Sequence, residues 1–338
     1  ADCCAKALEP QAKEPVEMNL LLLLPRAENI DHVYDRELRA RFPELRIDSV
    51  ERHEDVGPFI AHTDILLTFS PFMADHVVRD APRLKWIQVL GSGVDGIVNL
   101  PSLRQDVLIT NGRGVQATPV SECAFALMLA LSRNMQRMIV NQAERRWERW
   151  PSQVLRDRTV GILGVGQIAE ELAAKAKVFG MRVIGISSAA RPLANFDRMF
   201  ARDQLLSAVT ELDYLVLLTP YSAQTHHLVD ANVLAHMKRS AFLINVARGG
   251  VLDEVALVTA LRAGIIRGAA LDVFSEEPLP ASSELWSMPN VLISPHLAGL
   301  NSSYPASILP LVENNIRLFL AGRRDEMTNV VVPGIAQS

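Results

Sequence analysis

A chain of 338 residues, 49% of them apolar, is longer than a single hydrophobic core usually supports, so two domains with separate cores are expected. Its formal net charge of −4 and lack of any Lys/Arg run offer no surface for a phosphate backbone, which argues against nucleic acid as a partner. Cys3, Cys4 and Cys123 cannot frame a disulfide scaffold and fit a reducing cytoplasm, and the most apolar runs, 20–24 and 123–131, fall far short of the roughly 20 residues a membrane-spanning helix needs.

In chain order, residues 1–17 are small and polar, carry two prolines, and read as a disordered extension ahead of a fold that starts at Met18. Short apolar runs bounded by turn residues predict strands at 20–24, 65–68, 86–90 and 107–110. The segment 118–146, free of glycine and proline after Pro119, is expected to form one long helix joining two domains, with Cys123 and Met128 as packing residues. Six more strands are predicted at 160–163, 182–186, 214–218, 242–246, 269–273 and 291–294. A last helix over 308–320 stops before Gly322, a residue suited to the left-handed conformation beyond a helix end. The alternation of strands and helices predicts an α/β protein with two doubly wound parallel-sheet domains. The first spans 18–115 and is completed by 297–330; the second spans 116–296.

The run from Thr159 to Ala169, TVGILGVGQIA, places a G-x-G-x-x-A pattern between a strand and a helix. Gly164 permits the tight turn, Gly166 lets a pyrophosphate approach the backbone, and Ala169 lets helix and sheet pack closely. Gln167 and Ile168 open the helix, whose free N–H groups and dipole favour phosphate. The second domain is therefore expected to be a Rossmann dinucleotide-binding domain, and the first a flavodoxin-like substrate domain. An acidic residue after the second strand ordinarily binds the ribose 2′-hydroxyl of NAD, but this chain has Ser187, Ser188 and Arg191 there, with no carboxylate before Asp197. Two hydroxyls and a guanidinium suit a 2′-phosphate, so NADP(H) is the preferred cofactor, with NAD(H) as the other candidate.

Ligands of open α/β sheets bind beyond the carboxyl ends of the strands. Arg248, Glu277 and His296 each follow a predicted strand and could meet in one crevice. Carbonyl reduction by hydride needs a cation to hold the substrate carboxylate, an acid to protonate the alkoxide, and a group to orient that acid. Arginine, histidine and glutamate fit those tasks, and Glu277 is expected to favour the imidazolium of His296. His226 and His227 lack the spaced ligands of a metal site and read as ordinary surface residues.

These residues resemble the D-isomer-specific 2-hydroxyacid dehydrogenase family. The match covers nearly the whole chain after Met18 and is densest at Leu90-Gly-Ser-Gly-Val-Asp95, Thr159–Ala169, Leu218-Thr-Pro220, Leu243–Gly249, Ala270–Phe274, Glu277–Pro280 and Pro295–Gly299. The resemblance implies Arg248, Glu277 and His296 as the catalytic trio, and Ser92, Gly93 and Val94 as an amide nest for the substrate carboxylate, assisted by Arg248 and His296. It also implies that Thr219, Pro220, Ala247, Arg248, Asp272 and His296 border the cofactor, with Asp272 near the nicotinamide, and that the enzyme is a homodimer. Glyoxylate and hydroxypyruvate lead the candidate substrates, and Leu90, Tyr304 and Trp286 are candidate pocket walls. A competing class on the same fold is a nucleotide-sensing, corepressor-like binding module.

Overall fold

The computed structural model describes residues 18–24, 30–69, 73–188 and 190–332. The extension expected at 1–17 lies outside them. The chain divides into two compact units, the first running up to Leu90 and including Gly96–Gly112 and the chain from Ile308, the second comprising Gly91–Asp95 and Arg113–Ser307. The segments 91–95, 113–115 and 297–307, which the sequence reading grouped with the first domain, thus cluster with the second.

The first unit is built on β1 (Met18–Leu23), β2 (Leu45–Val50), β3 (Ile65–Thr68), β4 (Trp86–Val89), β5 (Leu108–Thr110) and β13 (Val330–Val332). The sheet order is β13-β5-β4-β3-β1-β2, parallel except for the antiparallel edge strand β13. Its parallel part follows the 2-1-3-4-5 order of flavodoxin-like sheets. Central strands buried on both faces read as unbroken apolar runs, as in Leu20–Leu23 and Ile65–Leu67. A buried polar chain ties this sheet to the last helix, Tyr304–Leu320. The Trp86 indole donates to Thr110, the Thr110 hydroxyl donates to Gln88, and Asn315 donates to the same Gln88 oxygen.

The second unit carries β6 (Thr159–Leu163), β7 (Arg182–Ser187), β8 (Arg198–Ala201), β9 (Tyr214–Leu217), β10 (Phe242–Asn245), β11 (Gly268–Leu271) and β12 (Val291–Ile293). All are parallel, in the order β12-β11-β10-β9-β6-β7-β8. Read from β8, this is the Rossmann order 3-2-1-4-5-6 with a seventh strand added, and the order reverses between β6 and β9. Alternate side chains feed two cores. Tyr214 and Val216 pack with Val120, Ala124 and Leu172 from the helices Ala117–Arg133 and Gln167–Val178. Leu215 and Leu217 pack with Val233, Leu257 and Leu261 on the opposite face.

All ten predicted strands are present. The three that sequence reading missed, β2, β8 and β13, are edge strands whose partial exposure admits polar or exposed residues and dilutes the apolar signal. The expected single helix over 118–146 is two helices, Ala117–Arg133 and Met135–Ala143, broken at Asn134. Asn134 adopts the left-handed conformation, which asparagine tolerates without glycine's help, and its N–H caps the first helix on Ala130 and Leu131. Among the described residues, no helix is long and apolar enough to cross a membrane.

Candidate active site

The chain's glycines shape the crevice where the strand order reverses. Gly164 has φ +98°, and a Cβ there would lie 2.5 Å from the backbone nitrogen of Thr219, so any side chain would push β6 and β9 apart at their carboxyl ends. Gly166 is different, since a Cβ there would meet no protein atom within 4 Å. Protein packing therefore does not demand glycine at this helix N-cap, whereas close approach by a dinucleotide pyrophosphate would. Ala169 is buried against the sheet, as close helix packing requires. The Thr219 hydroxyl donates to the carbonyl of Leu163 and is buried, so its side chain fastens the crevice wall. Pro220 is exposed, and Ala247 is buried with its N–H bound to Asn245.

At the end of β7, Ser187 is half-buried, and Ser188 and Arg191 are exposed. The nearest following carboxylate, Asp197, is engaged elsewhere. It pairs with Lys177 at 2.8 Å and accepts the Val183 N–H at 2.7 Å. The Lys177 hydrogen bond, assisted by that backbone N–H, holds its carboxyl below the usual aspartate range.

Arg248 is launched from β10 by Asn245, a fully buried residue whose amide donates to the Arg248 carbonyl and accepts from the Ala247 N–H. Its guanidinium is held on two sides, Nε lying 3.3 Å from both carboxylate oxygens of Asp95 and Nη1 donating to the carbonyl of Ala247 at 2.8 Å. Nη2 covers Gly93, where a Cβ would sit 1.8 Å from it. The guanidinium thus lies over the predicted amide nest. Within that nest, the Ser92 N–H and hydroxyl both donate to Oε1 of Gln116.

His296 follows β12, and its Nδ1 lies 2.7 Å from Oε2 of Glu277. The other oxygen of Glu277 accepts the Phe274 N–H at 2.9 Å. Burial opposes ionisation of Glu277, but the His296 hydrogen bond, the Phe274 N–H and the charges of His296 and Arg248 together hold its carboxyl below the ordinary glutamate value. The arginine and glutamate loops meet at Gly249, where a Cβ would lie 1.9 Å from the Phe274 carbonyl carbon. His296 itself has φ 55°, an uncommon conformation for a non-glycine residue.

Asp272 accounts for that backbone. It is buried, at 0% exposure, and does not face solvent. Its carboxylate instead accepts the N–H groups of Leu297 and Ala298 and the Ser294 hydroxyl, while its carbonyl accepts the His296 N–H. Asp272 is thus the clasp of the loop that carries His296. Of the candidate pocket walls, Leu90 and Tyr304 are core residues at 0% and 1% exposure. Trp286 is half-exposed, its indole donating to the Pro280 carbonyl.

Asp95, Gln116 and Asn245 are the site residues that sequence reading missed. Asn245 left a trace, a polar residue ending a buried strand, whereas the other two act through contacts distant in the chain. Cys123 is consistent with a packing role, since burial pushes its thiol up to about 11 and keeps it protonated. Among the described residues, no group of His, Cys, Asp and Glu could hold a metal ion.

Residues 125–298 match the family described as D-isomer specific 2-hydroxyacid dehydrogenase, NAD binding domain. The glyoxylate reductase of Thermococcus litoralis is 32% identical over 78% of this chain and 82% of its own length. A solved structure of a D-isomer specific 2-hydroxyacid dehydrogenase family protein from Aeromonas salmonicida has a TM-score of 0.82 at 34% identity, covering 93% of this chain and 99% of that one. An NADPH-dependent glyoxylate/hydroxypyruvate reductase from Sinorhizobium meliloti, solved with NADP and sulfate, has a TM-score of 0.79 at 27% identity, covering 94% and 99%. With this sequence match spanning the crevice, Arg248, Glu277 and His296, the chain belongs to the D-isomer specific 2-hydroxyacid dehydrogenases, a family of NAD(P)-dependent oxidoreductases.

Proposed function

We propose that the protein reduces small 2-keto acids to D-2-hydroxy acids with NADP(H), glyoxylate and hydroxypyruvate foremost, and accepts NAD(H) less well. The observation that carries this reading is the 2.7 Å contact between His296 and Glu277 in the same unit as an arginine laid over an amide nest. The name of the Sinorhizobium meliloti relative supports the substrate class and cofactor.

Gly164, Gly166 and the helix from Gln167 would hold the pyrophosphate, Ser187, Ser188 and Arg191 the 2′-phosphate, and the backbone around Thr219, Pro220 and Ala247 the nicotinamide end. The bound cofactor supplies the hydride. Gly93, Val94 and Arg248 grip the substrate carboxylate and fix the position of its neighbouring carbonyl. An ionised Glu277 only accepts hydrogen bonds, so Nδ1 of His296 must carry the proton they share. Nε2 is then the atom that protonates the carbonyl oxygen as C2 receives the hydride. Arg248 stabilises the charge building on that oxygen.

The test is a panel of 2-keto acids followed by loss of reduced-nicotinamide absorbance, with NADPH and NADH in parallel. Turnover of small 2-keto acids with higher kcat/KM for NADPH supports the reading. Equal or better efficiency with NADH contradicts the cofactor assignment, and absence of turnover across the panel contradicts the substrate class.

The enzyme works as a homodimer in the cytoplasm on this account. The helix Met135–Ala143 and the segment after it expose Met135, Ile139, Val140 and Trp147, the last at 94%, an apolar patch of the kind a second copy covers. Light scattering that returns a monomer mass at micromolar concentration contradicts the dimer.

A further inference from the structure

Asp95 stands one residue beyond the amide nest and heads the short helix Asp95–Val98. Its carboxylate engages the arginine from the side, both oxygens lying 3.3 Å from Nε of Arg248. Nη1 is tethered to the Ala247 carbonyl, and Nη2 projects over Gly93 so closely that no β-carbon would fit. Both side chains are partly buried, at 24% and 22% exposure, so the pair is shielded from full solvent screening. A guanidinium presents two bidentate edges, one formed by Nε with an Nη and one by Nη1 with Nη2. Asp95 takes up the Nε corner, and the edge left for a ligand is Nη1–Nη2, the one that carries Nη2 over the nest.

We propose that Asp95 is a positioning residue for Arg248: it selects the Nη1–Nη2 edge as the one that meets the substrate carboxylate and keeps Nη2 above the Gly93 amide. This rests on the function proposed above. It gives a specific reason for a negative charge beside a site that must receive an anion. An arginine without the tether would be a stronger but misdirected anion trap, free to swing across several rotamers whose entropy must be lost on each binding event. It also predicts that Arg248→Lys would not preserve the grip, since an ammonium has no second edge to offer after pairing with Asp95.

The test compares the wild-type enzyme with Asp95→Ala, Asp95→Asn and Asp95→Glu, measuring KM and kcat for glyoxylate at saturating NADPH, the NADPH Kd by fluorescence, and the melting temperature. Asp95→Ala is expected to raise KM for glyoxylate at least tenfold with the NADPH Kd unchanged. Asp95→Asn keeps an acceptor for Nε and is expected to recover KM to within about threefold of wild type. Asp95→Glu keeps the charge but moves it by one methylene, and is expected to behave like the alanine variant. A KM for Asp95→Ala within twofold of wild type, or below it, overturns the proposal, as does an asparagine variant as impaired as alanine. If the alanine variant melts early, the asparagine and glutamate pair decides alone, and equal KM values for the two overturn it. A wild-type enzyme that turns over no 2-keto acid refutes the underlying function instead, before any variant is compared.

Discussion

Nδ1 of His296 and Oε2 of Glu277 stand 2.7 Å apart although 19 residues separate them in the chain, and the second oxygen of the same carboxylate is fixed by the Phe274 N–H. The carboxylate is therefore anchored at one end and orients an imidazole at the other, and in the proposed reaction Nε2 is the atom that meets the carbonyl.

The first prediction concerns that imidazole. His296→Ala should lower kcat for keto-acid reduction by about 10²–10⁴, the usual worth of a positioned general acid, with the NADPH Kd nearly unchanged. Steady-state rates and fluorescence titration check it, and wild-type turnover in the variant would remove His296 from its role.

The second follows from the depressed carboxyl of Glu277. Its folded value lies below the ordinary 4.5, so the ionised form contributes stability that is present above about pH 4.5 and is lost as pH falls through the folded value. Glu277→Gln removes that contribution. The melting temperature of the variant should lie below wild type near neutrality, and the gap should close as the pH is lowered below 4.5 and through the depressed folded value. A gap that widens on acidification contradicts this sign.

Gly93 provides a test that separates folding from chemistry. A methyl group there would collide with Nη2 of Arg248, the far end of a flexible side chain, which can swing aside without disturbing the backbone. Gly93→Ala should therefore keep its melting temperature within a few degrees while kcat/KM for the keto acid falls at least tenfold. A variant with normal kinetics would place the guanidinium elsewhere during turnover.

Asp272 should behave in the opposite way. Asp272→Ala strands buried partners in the Ser294–Ala298 loop and should cost about 2–4 kcal/mol in urea unfolding, since bonds to a charged group and unpaired buried donors each weigh on the order of 1–3 kcal/mol. Released from its clasp, His296 should leave its positive-φ conformation, and kcat should fall with it. Unchanged stability would contradict the clasp.

Much of this architecture was legible in the residues. Central strands such as Ile65–Thr68 and Tyr214–Leu217 are buried on both faces, so their apolar runs stand out against flanking turns. The edge strands β2, β8 and β13 mix exposed and buried positions and merge with loops in the sequence. The break at Asn134 carried no glycine or proline, because asparagine reaches the left-handed region through its own short polar side chain. In the site, residues ending strands were found because an open sheet gathers strand ends, which is how Arg248, Glu277 and His296 came to notice. What escaped were groups whose work is to hold others. Asp95 lies 153 residues from the arginine it grips and Gln116 lies 24 residues from Ser92, and neither separation leaves a local pattern. The buried state of Tyr304 was hidden for a similar reason, since aromatic residues at a helix start serve as readily in a core as in a pocket.

The central claim is that a hydride reaches C2 of a 2-keto acid while His296 protonates the carbonyl oxygen. The most direct measurement is reduction of hydroxypyruvate, or of whichever prochiral 2-keto acid turns over fastest, with NADPH deuterated at C4 of its nicotinamide, followed by chiral separation and mass analysis of the product. The account predicts the D-2-hydroxy acid carrying one deuterium at C2. An L product, or a D product without the label, would contradict it.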